Sequence, residues 1–298
     1  MSFFTKRILT AVLIIVAVVG IGVFAFVGLS TKPPELPPVP VPKSIEPLEE
    51  IIGQSVEGRA ITAYRYGTGT GAELVFVGGM HGGYEWNSVL LSYAFMDYLN
   101  ETPDAVPDNL SVTVIPSANP DGVYKVTGKE GRFNITAAST DKEILASGRF
   151  NAHGVDLNRN FDCKWKPEGT WRNKTVSAGT SPFSEPEAAA LRDFVLKRRP
   201  DAVVFWHSQA NAVYASECND GILPKTLDIM NAYSKASGYK AATSFDAYSV
   251  TGDAEGWLAS IGIPAITVEL STHETIEWEK NLAGIKALFE YYRQKVEN

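Results

Sequence analysis

The chain has 298 residues, 45% of them hydrophobic, enough to bury a full core once a short N-terminal region is set aside. Its net charge of −7 excludes nucleic acid as a main partner, because phosphate binding needs a concentrated basic surface and the longest basic run is Lys197-Arg198-Arg199.

Lys6 and Arg7 precede Ile8 to Leu29, 22 residues without a charge. At about 1.5 Å per residue this is long enough to cross a hydrocarbon core. A cleaved signal peptide has an apolar region of about 7 to 15 residues closed by small residues. Here the run is longer and ends in Phe24-Ala25-Phe26-Val27-Gly28-Leu29. The expectation is a single-pass signal anchor in the cell membrane, with residues 1–7 cytoplasmic, 8–29 spanning and the rest extracytoplasmic. Thr31 to Pro47 holds seven prolines, which resist helix and sheet, so residues 30–47 read as an extended stalk. Residues 48–298 then suit one large domain.

Along that domain, Glu73 to Val77 reads as a buried strand, Glu85 to Asn100 as a helix and Ser111 to Pro116 as a second strand. Tyr124 to Gly148 has weak periodicity and reads as surface loops. A capping signature at Ser184-Glu185-Pro186-Glu187 opens a helix that Lys197, Arg198 and Arg199 close with the opposite charge. Ala202 to Trp206 is a strand, Leu223 to Ser237 a helix, Ala265 to Leu270 a strand and Thr275 to Val296 a final helix. Such alternation predicts an α/β fold with a mixed, mostly parallel central sheet and helices on both faces. Ligands in such folds bind where strands end. Cys163 and Cys218 are compatible with an oxidising compartment, and they read equally as a bridge or as two buried thiols.

His207 follows the strand pattern Ala202-Val203-Val204-Phe205-Trp206, and His81 and Glu85 stand in Gly79-Met80-His81-Gly82-Gly83-Tyr84-Glu85. Two histidines and a carboxylate are the minimum for a catalytic zinc, which leaves a coordination position for water. Four further segments complete the pattern. They are Ile52 to Arg59, Asn119-Pro120-Asp121-Gly122, Gly154-Val155-Asp156-Leu157-Asn158-Arg159-Asn160-Phe161 and Ile266-Thr267-Val268-Glu269-Leu270-Ser271. In this order the six resemble the zinc carboxypeptidase family, which includes carboxypeptidase A and bacterial murein peptide amidases. The resemblance spans roughly residues 50 to 296.

The resemblance implies one zinc ion per chain held by His81, Glu85 and His207. One departure is that His81 and Glu85 have three residues between them where the family has two, an insertion that falls beside two flexible glycines. His153 and His273 read as solvent-facing or as supports for the ligands. Glu269 lies in a strand that should be buried, where an ionisable group is costly unless paired or functional, and the resemblance makes it the general base. An arginine upstream of the Gly154 motif would stabilise the oxyanion. Arg149 is the choice, with Arg132, in the near-identical Gly131-Arg132-Phe133-Asn134, its competitor. The resemblance assigns Asn158 and Arg159 to the substrate's terminal carboxylate. Tyr248 corresponds to a mobile tyrosine that caps substrate, against an alternative role in packing. Asp253 and Glu255 fall in the segment lining the side-chain pocket and would favour a cationic substrate group; the competing role for Asp253 is to cap a short helix beginning near Ala254.

The expected function is therefore that of a membrane-anchored zinc metallocarboxypeptidase whose partner is a peptide with a free C-terminal carboxylate. One alternative substrate is a cell-wall peptide containing D-Glu and diaminopimelate, which would make the chain a murein peptide amidase. A zinc deacylase of N-acyl amino acids and a non-catalytic module that binds peptide termini are the competing classes.

Overall fold

The structure, a computed structural model, describes residues 46–296. The expected cytoplasmic segment 1–7, anchor 8–29 and nearly all of the stalk 30–47 lie outside the described residues. Among the described residues no helix is long and apolar enough to cross a membrane.

Eight strands form one twisted sheet. They are β1 (Leu48–Gln54), β2 (Ala60–Tyr66), β3 (Ala72–Val77), β4 (Leu110–Ile115), β7 (Ala202–Ser208), β8 (Ala212–Ala215), β11 (Lys240–Ala242) and β12 (Ala265–Leu270). Their order is β1-β2-β4-β3-β7-β12-β8-β11. The central pairs β3 with β4, β3 with β7 and β7 with β12 are parallel, whereas β2 joins β4, and β8 joins β12, in antiparallel fashion. This is the mixed sheet expected. Two small hairpins lie outside it: β5 (Glu168–Trp171) with β6 (Lys174–Ser177), and β9 (Glu217–Cys218) with β10 (Gly221–Ile222).

The central strands are continuous apolar runs because both of their faces are covered. Leu74, Phe76, Val204, Trp206, Ile266 and Val268 point to one face, where they pack against α1 (Trp86–Glu101), α5 (Pro224–Ser237) and α7 (Trp278–Val296). Val75, Val77, Val203, Phe205 and Ala265 point to the other, against α4 (Pro186–Arg198) and α6 (Ala254–Ser260). Every second residue changes face. His207 and Glu269 therefore continue the α4–α6 face at the C-terminal ends of β7 and β12.

Two expectations need correction. Tyr124 to Gly148 is not all loop: its start continues α2 (Pro120–Thr127) and it also carries α3 (Lys142–Ser147). The Asn119-Pro120-Asp121-Gly122 segment is the start of α2, with the Asn119 side chain accepting from the Gly122 amide and Pro120 in the first turn. Both helices are too short to carry a clear 3.6-residue period. The helix after Ser184 begins at Pro186, and its N-cap is Glu185 without a side-chain capping bond. Cys163 and Cys218 form a disulfide with Cα atoms 6.1 Å apart, which settles the choice between bridge and free thiols.

Candidate metal centre and active site

Three strand ends converge on the site. After β3 the chain turns through Gly78 and Gly79 to His81, then makes a 3-10 turn, Gly82–Glu85, that runs directly into α1. Gly82 has φ +47, and a Cβ there would lie 2.5 Å from the Gly148 carbonyl oxygen. A residue with a side chain is excluded on both counts. This turn spans the three residues between His81 and Glu85 and aims both side chains at the same point. His207 comes from the penultimate position of β7, and the parallel pairing sets it directly beside Glu269 of β12.

His81 Nδ1 lies 2.8 Å from Glu85 Oε1, His207 Nδ1 lies 3.0 Å from Glu85 Oε2, and the two Nδ1 atoms are 3.2 Å apart. All three residues are buried, and among the described residues they form the candidate metal-binding group. Tetrahedral zinc with ligand bonds of about 2.0 to 2.2 Å holds its ligand atoms about 3.3 Å apart. The donor set, its charge and its spacing fit that ion closely. A close approach of two Nδ1 atoms and a carboxylate in the protein interior is explained by a shared cation, because two imidazole lone pairs facing each other otherwise repel.

Without a cation, a proton on His207 supplies the countercharge to Glu85, and a metal would displace that proton on binding. Burial opposes ionisation of Glu85, but the His81 and His207 rings outweigh it and hold its carboxyl below the usual range. Burial likewise disfavours a charged His207, yet Glu85 and Glu255 raise it well above the ordinary imidazole value. Glu269 behaves differently. Burial, reinforced by Glu85, pushes its carboxyl up to about 8, with His207 opposing. A carboxylate that holds a proton this readily is suited to accept and return one near neutral pH, and a nearby cation would draw its pKa down from that value.

Arg149 is buried beside the triad, with Nε donating to Asp156 Oδ2 at 2.9 Å, Nη2 ion-paired with the same oxygen at 2.8 Å and Nη1 3.9 Å from Glu85 Oε1. Its competitor Arg132 is on the surface, paired with Asp97 and stacked over Tyr93. Asp156 was missed as a site residue although it stands inside the Gly154 motif. It is fully buried, its Oδ1 is 3.5 Å from His81 Nε2, and Arg149 and Arg159 overcome burial to keep it ionised. An aspartate between Val155 and Leu157 at buried positions was the available signal.

Asn158 and Arg159 follow on a 3-10 turn and line the same cleft as His81, His207 and Glu269. The Asn158 Oδ1 accepts from the Ala254 amide at 2.9 Å, tying this turn to α6. Arg159 donates through Nη1 to the Asn158 carbonyl and through Nη2 to the Thr170 carbonyl of β5, which fixes its guanidinium plane. Gly252 closes the other wall: its φ is +71, and a Cβ would come 2.2 Å from the Arg159 carbonyl oxygen. Its amide donates to the Cys163 carbonyl and its carbonyl accepts from the Phe161 amide. The segment carrying Tyr248 is thereby anchored on the disulfide-bonded segment.

Tyr248 lines the cleft half-buried, with its ring against Phe245 and 6.0 Å from the Arg159 guanidinium. Burial raises its phenol, so it offers a proton at neutral pH. Asp253 and Glu255 also line the cleft, and each has a protein partner. Asp253 Oδ2 accepts from the Gly256 amide at 2.7 Å as the N-cap of α6, and burial with Glu255 nearby pushes its carboxyl up to about 6. Glu255 Oε1 lies 3.3 Å from His207 Nε2. His153 pairs with Glu185, and His273 Nδ1 lies 2.6 Å from the Ser208 hydroxyl, so both lie outside the metal-binding group.

The sequence profile of the zinc carboxypeptidases matches residues 48–283. A gamma-D-glutamyl-L-diamino acid endopeptidase 1 from Lysinibacillus sphaericus is 25% identical over 241 residues, covering 74% of this chain and 60% of its own length. Carboxypeptidase B from Astacus astacus is 30% identical over 60% of this chain and 55% of its own. The chain thus spans a little over half the length of these curated relatives. Among solved structures, the murein-tripeptide amidase MpaA from Escherichia coli O157 superposes with a TM-score of 0.62 at 23% identity, covering 83% of this chain and 93% of that one. Bovine thrombin-activatable fibrinolysis inhibitor gives 0.65 at 19%, covering 84% and 91%. At these identities the superpositions show the fold, and the profile match over most of the chain shows the rest: it belongs to the zinc carboxypeptidase family.

Proposed function

We propose that the chain is a zinc-dependent peptidase that hydrolyses the last amide bond of a peptide bearing a free C-terminal carboxylate. The observation that carries this reading is the registered pair His207 and Glu269, which puts a half-buried, proton-accepting carboxylate beside the metal-binding group in the cleft that Asn158 and Arg159 also line.

His81, Glu85 and His207 would hold the zinc ion, which when bound supplies Lewis acidity and makes water a competent nucleophile at neutral pH. Asn158 and Arg159 orient the substrate: a guanidinium makes parallel hydrogen bonds to a carboxylate, which registers the chain end. Glu269 takes a proton at its carboxylate oxygen and returns it to the departing amine. Arg149, held flat by Asp156, keeps a fixed positive charge where oxyanion charge develops. Tyr248 donates from its phenol and shields the cleft from water.

A second reading keeps this chemistry and changes the substrate to a cell-wall peptide with a D-Glu–diaminopimelate bond. It is favoured by the acidic Asp253 on the cleft wall, which suits an amine-bearing substrate group, and by the named activity of the Lysinibacillus relative. Mass spectrometry of products from peptides ending in Lys, Arg, Phe or Leu, run beside a D-Glu–diaminopimelate tripeptide, separates the two. Loss of a single C-terminal residue from the Lys-, Arg-, Phe- or Leu-ending peptides supports the first reading, cleavage of the tripeptide alone supports the second, and no zinc-dependent cleavage of any substrate refutes both. We further propose that residues 8–29 anchor the domain in the membrane with residues 48–298 outside, on the strength of their uncharged length.

A further inference from the structure

His207 turns Nδ1 toward His81 and Glu85, so its Nε2 faces the opposite way. There it meets Glu255, whose Oε1 is 3.3 Å distant, with side chains only 2% and 5% exposed. The two atoms are not aligned as a hydrogen bond, and Nε2 has no other hydrogen-bond partner. A buried ring nitrogen with no hydrogen-bond partner thus lies beside a buried carboxylate. Glu255 is itself held in place. It sits in the first turn of α6, which Asp253 caps, and the Thr267 hydroxyl of β12 donates to the same Oε1 at 3.0 Å. Across the site His81 has the matching arrangement, with Nδ1 toward Glu85 and Nε2 3.5 Å from the buried Asp156.

A metal-binding imidazole can offer only one lone pair, and the group behind the ring decides which nitrogen keeps the proton. We propose that Glu255 is a positioning residue for His207, keeping the proton on Nε2 and the Nδ1 lone pair directed at the metal. The proposal rests on the zinc reading above. It also changes what Glu255 does in the cleft, since a carboxylate engaged by His207 and Thr267 is not free to pair with a cationic substrate side chain. Asp253 and Glu255 then cease to be equivalent.

The test measures zinc affinity of the intact chain by competition with a chromophoric chelator, together with the visible absorption of the cobalt-loaded protein. Wild type, Glu255→Ala and Glu255→Gln are compared. Glu255→Ala is expected to bind zinc about 10- to 100-fold more weakly and to shift the cobalt spectrum. Glu255→Gln keeps an acceptor oxygen but not the charge, and is expected to fall between the two. Should the alanine variant fail to fold, the glutamine variant decides, with a loss of at least about threefold expected and wild-type affinity overturning the proposal. Wild-type affinity and spectrum in both variants, with an altered preference between Lys- and Phe-ending peptides, would make Glu255 a pocket residue instead. Failure of the wild-type chain to bind zinc at all would overturn the underlying zinc reading and the proposal with it, and is distinguished from the other outcome by the wild-type control.

Discussion

Replacing both Cys163 and Cys218 by alanine removes a bridge that closes a loop of 55 residues between the Asn158–Arg159 turn and the strands beyond β8. Loop closure of that length lowers the entropy of the unfolded chain by about 14 cal/mol/K, or about 4 kcal/mol at 25 °C. In a domain of this size each kcal/mol moves the melting temperature by about 2 to 4 °C, so the double variant should melt about 8 to 16 °C lower. Alanine is preferred to serine because both sulfurs sit in residues only 4% exposed, where a hydroxyl would add its own cost of burial. Thermal unfolding by calorimetry, with zinc saturating in both proteins, gives the shift. Thiol titration in denaturant supplies the independent check, with no reactive thiol expected before reduction and two after. Two thiols before reduction, or a double variant melting within about 2 °C of wild type, would refute the reasoning.

His207→Ala should lose both bound zinc and activity, and a variant retaining stoichiometric zinc by atomic absorption would remove His207 from the ligand set. Glu269→Gln should retain zinc while kcat falls about 10²- to 10⁴-fold, and a near-normal kcat would exclude it as the base. The same substitution has a signed effect on stability. Glu269 holds its proton up to about 8 in the folded chain, so between the ordinary carboxylate range and that value folding binds a proton that the unfolded chain has released. Its favourable contribution is complete at low pH and is lost as pH rises through about 8, a loss that the always-neutral glutamine does not suffer. In the presence of chelator, Glu269→Gln should therefore gain stability relative to wild type as pH is raised from 5 to 9, and parallel urea-denaturation curves at the two pH values would count against it. Protease added to intact cells should release the domain by cutting within residues 30–47, and recovery of the intact chain from the soluble cytosol would defeat the proposed anchor.

The central strands and long helices were legible because their causes are local. A strand buried on both faces, such as Ala202 to Trp206, must be continuously apolar, and α5 must end near Gly238, whose φ of +78 suits a glycine. The edge strand β1 is less legible because it is exposed or half-exposed throughout with no alternation, its neighbour β2 because its alternation breaks after five residues, and β8 and β11 because four and three residues are too few to show a period. The 3-10 turn at Gly82–Glu85 shows the same limit on a finer scale. The glycines announced freedom there, but not the direction in which the chain would use it.

The motifs by themselves determined the family to which the chain belongs, since these histidines, carboxylates, arginine and asparagine have few other uses in that order. What only the tertiary structure decided was who faces whom. A side-chain period of two puts His207 and Glu269 each on one face of its own strand, but only the parallel pairing of β7 with β12 sets them side by side. Arg149 and Arg132 stand in nearly identical words, and only packing sends one to buried Asp156 and the other to surface Asp97. Asp253 and Glu255 are two residues apart, yet the first turn of α6 directs one carboxylate to a backbone amide and the other to the back of His207. Residue type sets what a side chain can do, and long-range packing, to which separation along the chain is blind, chooses its partner.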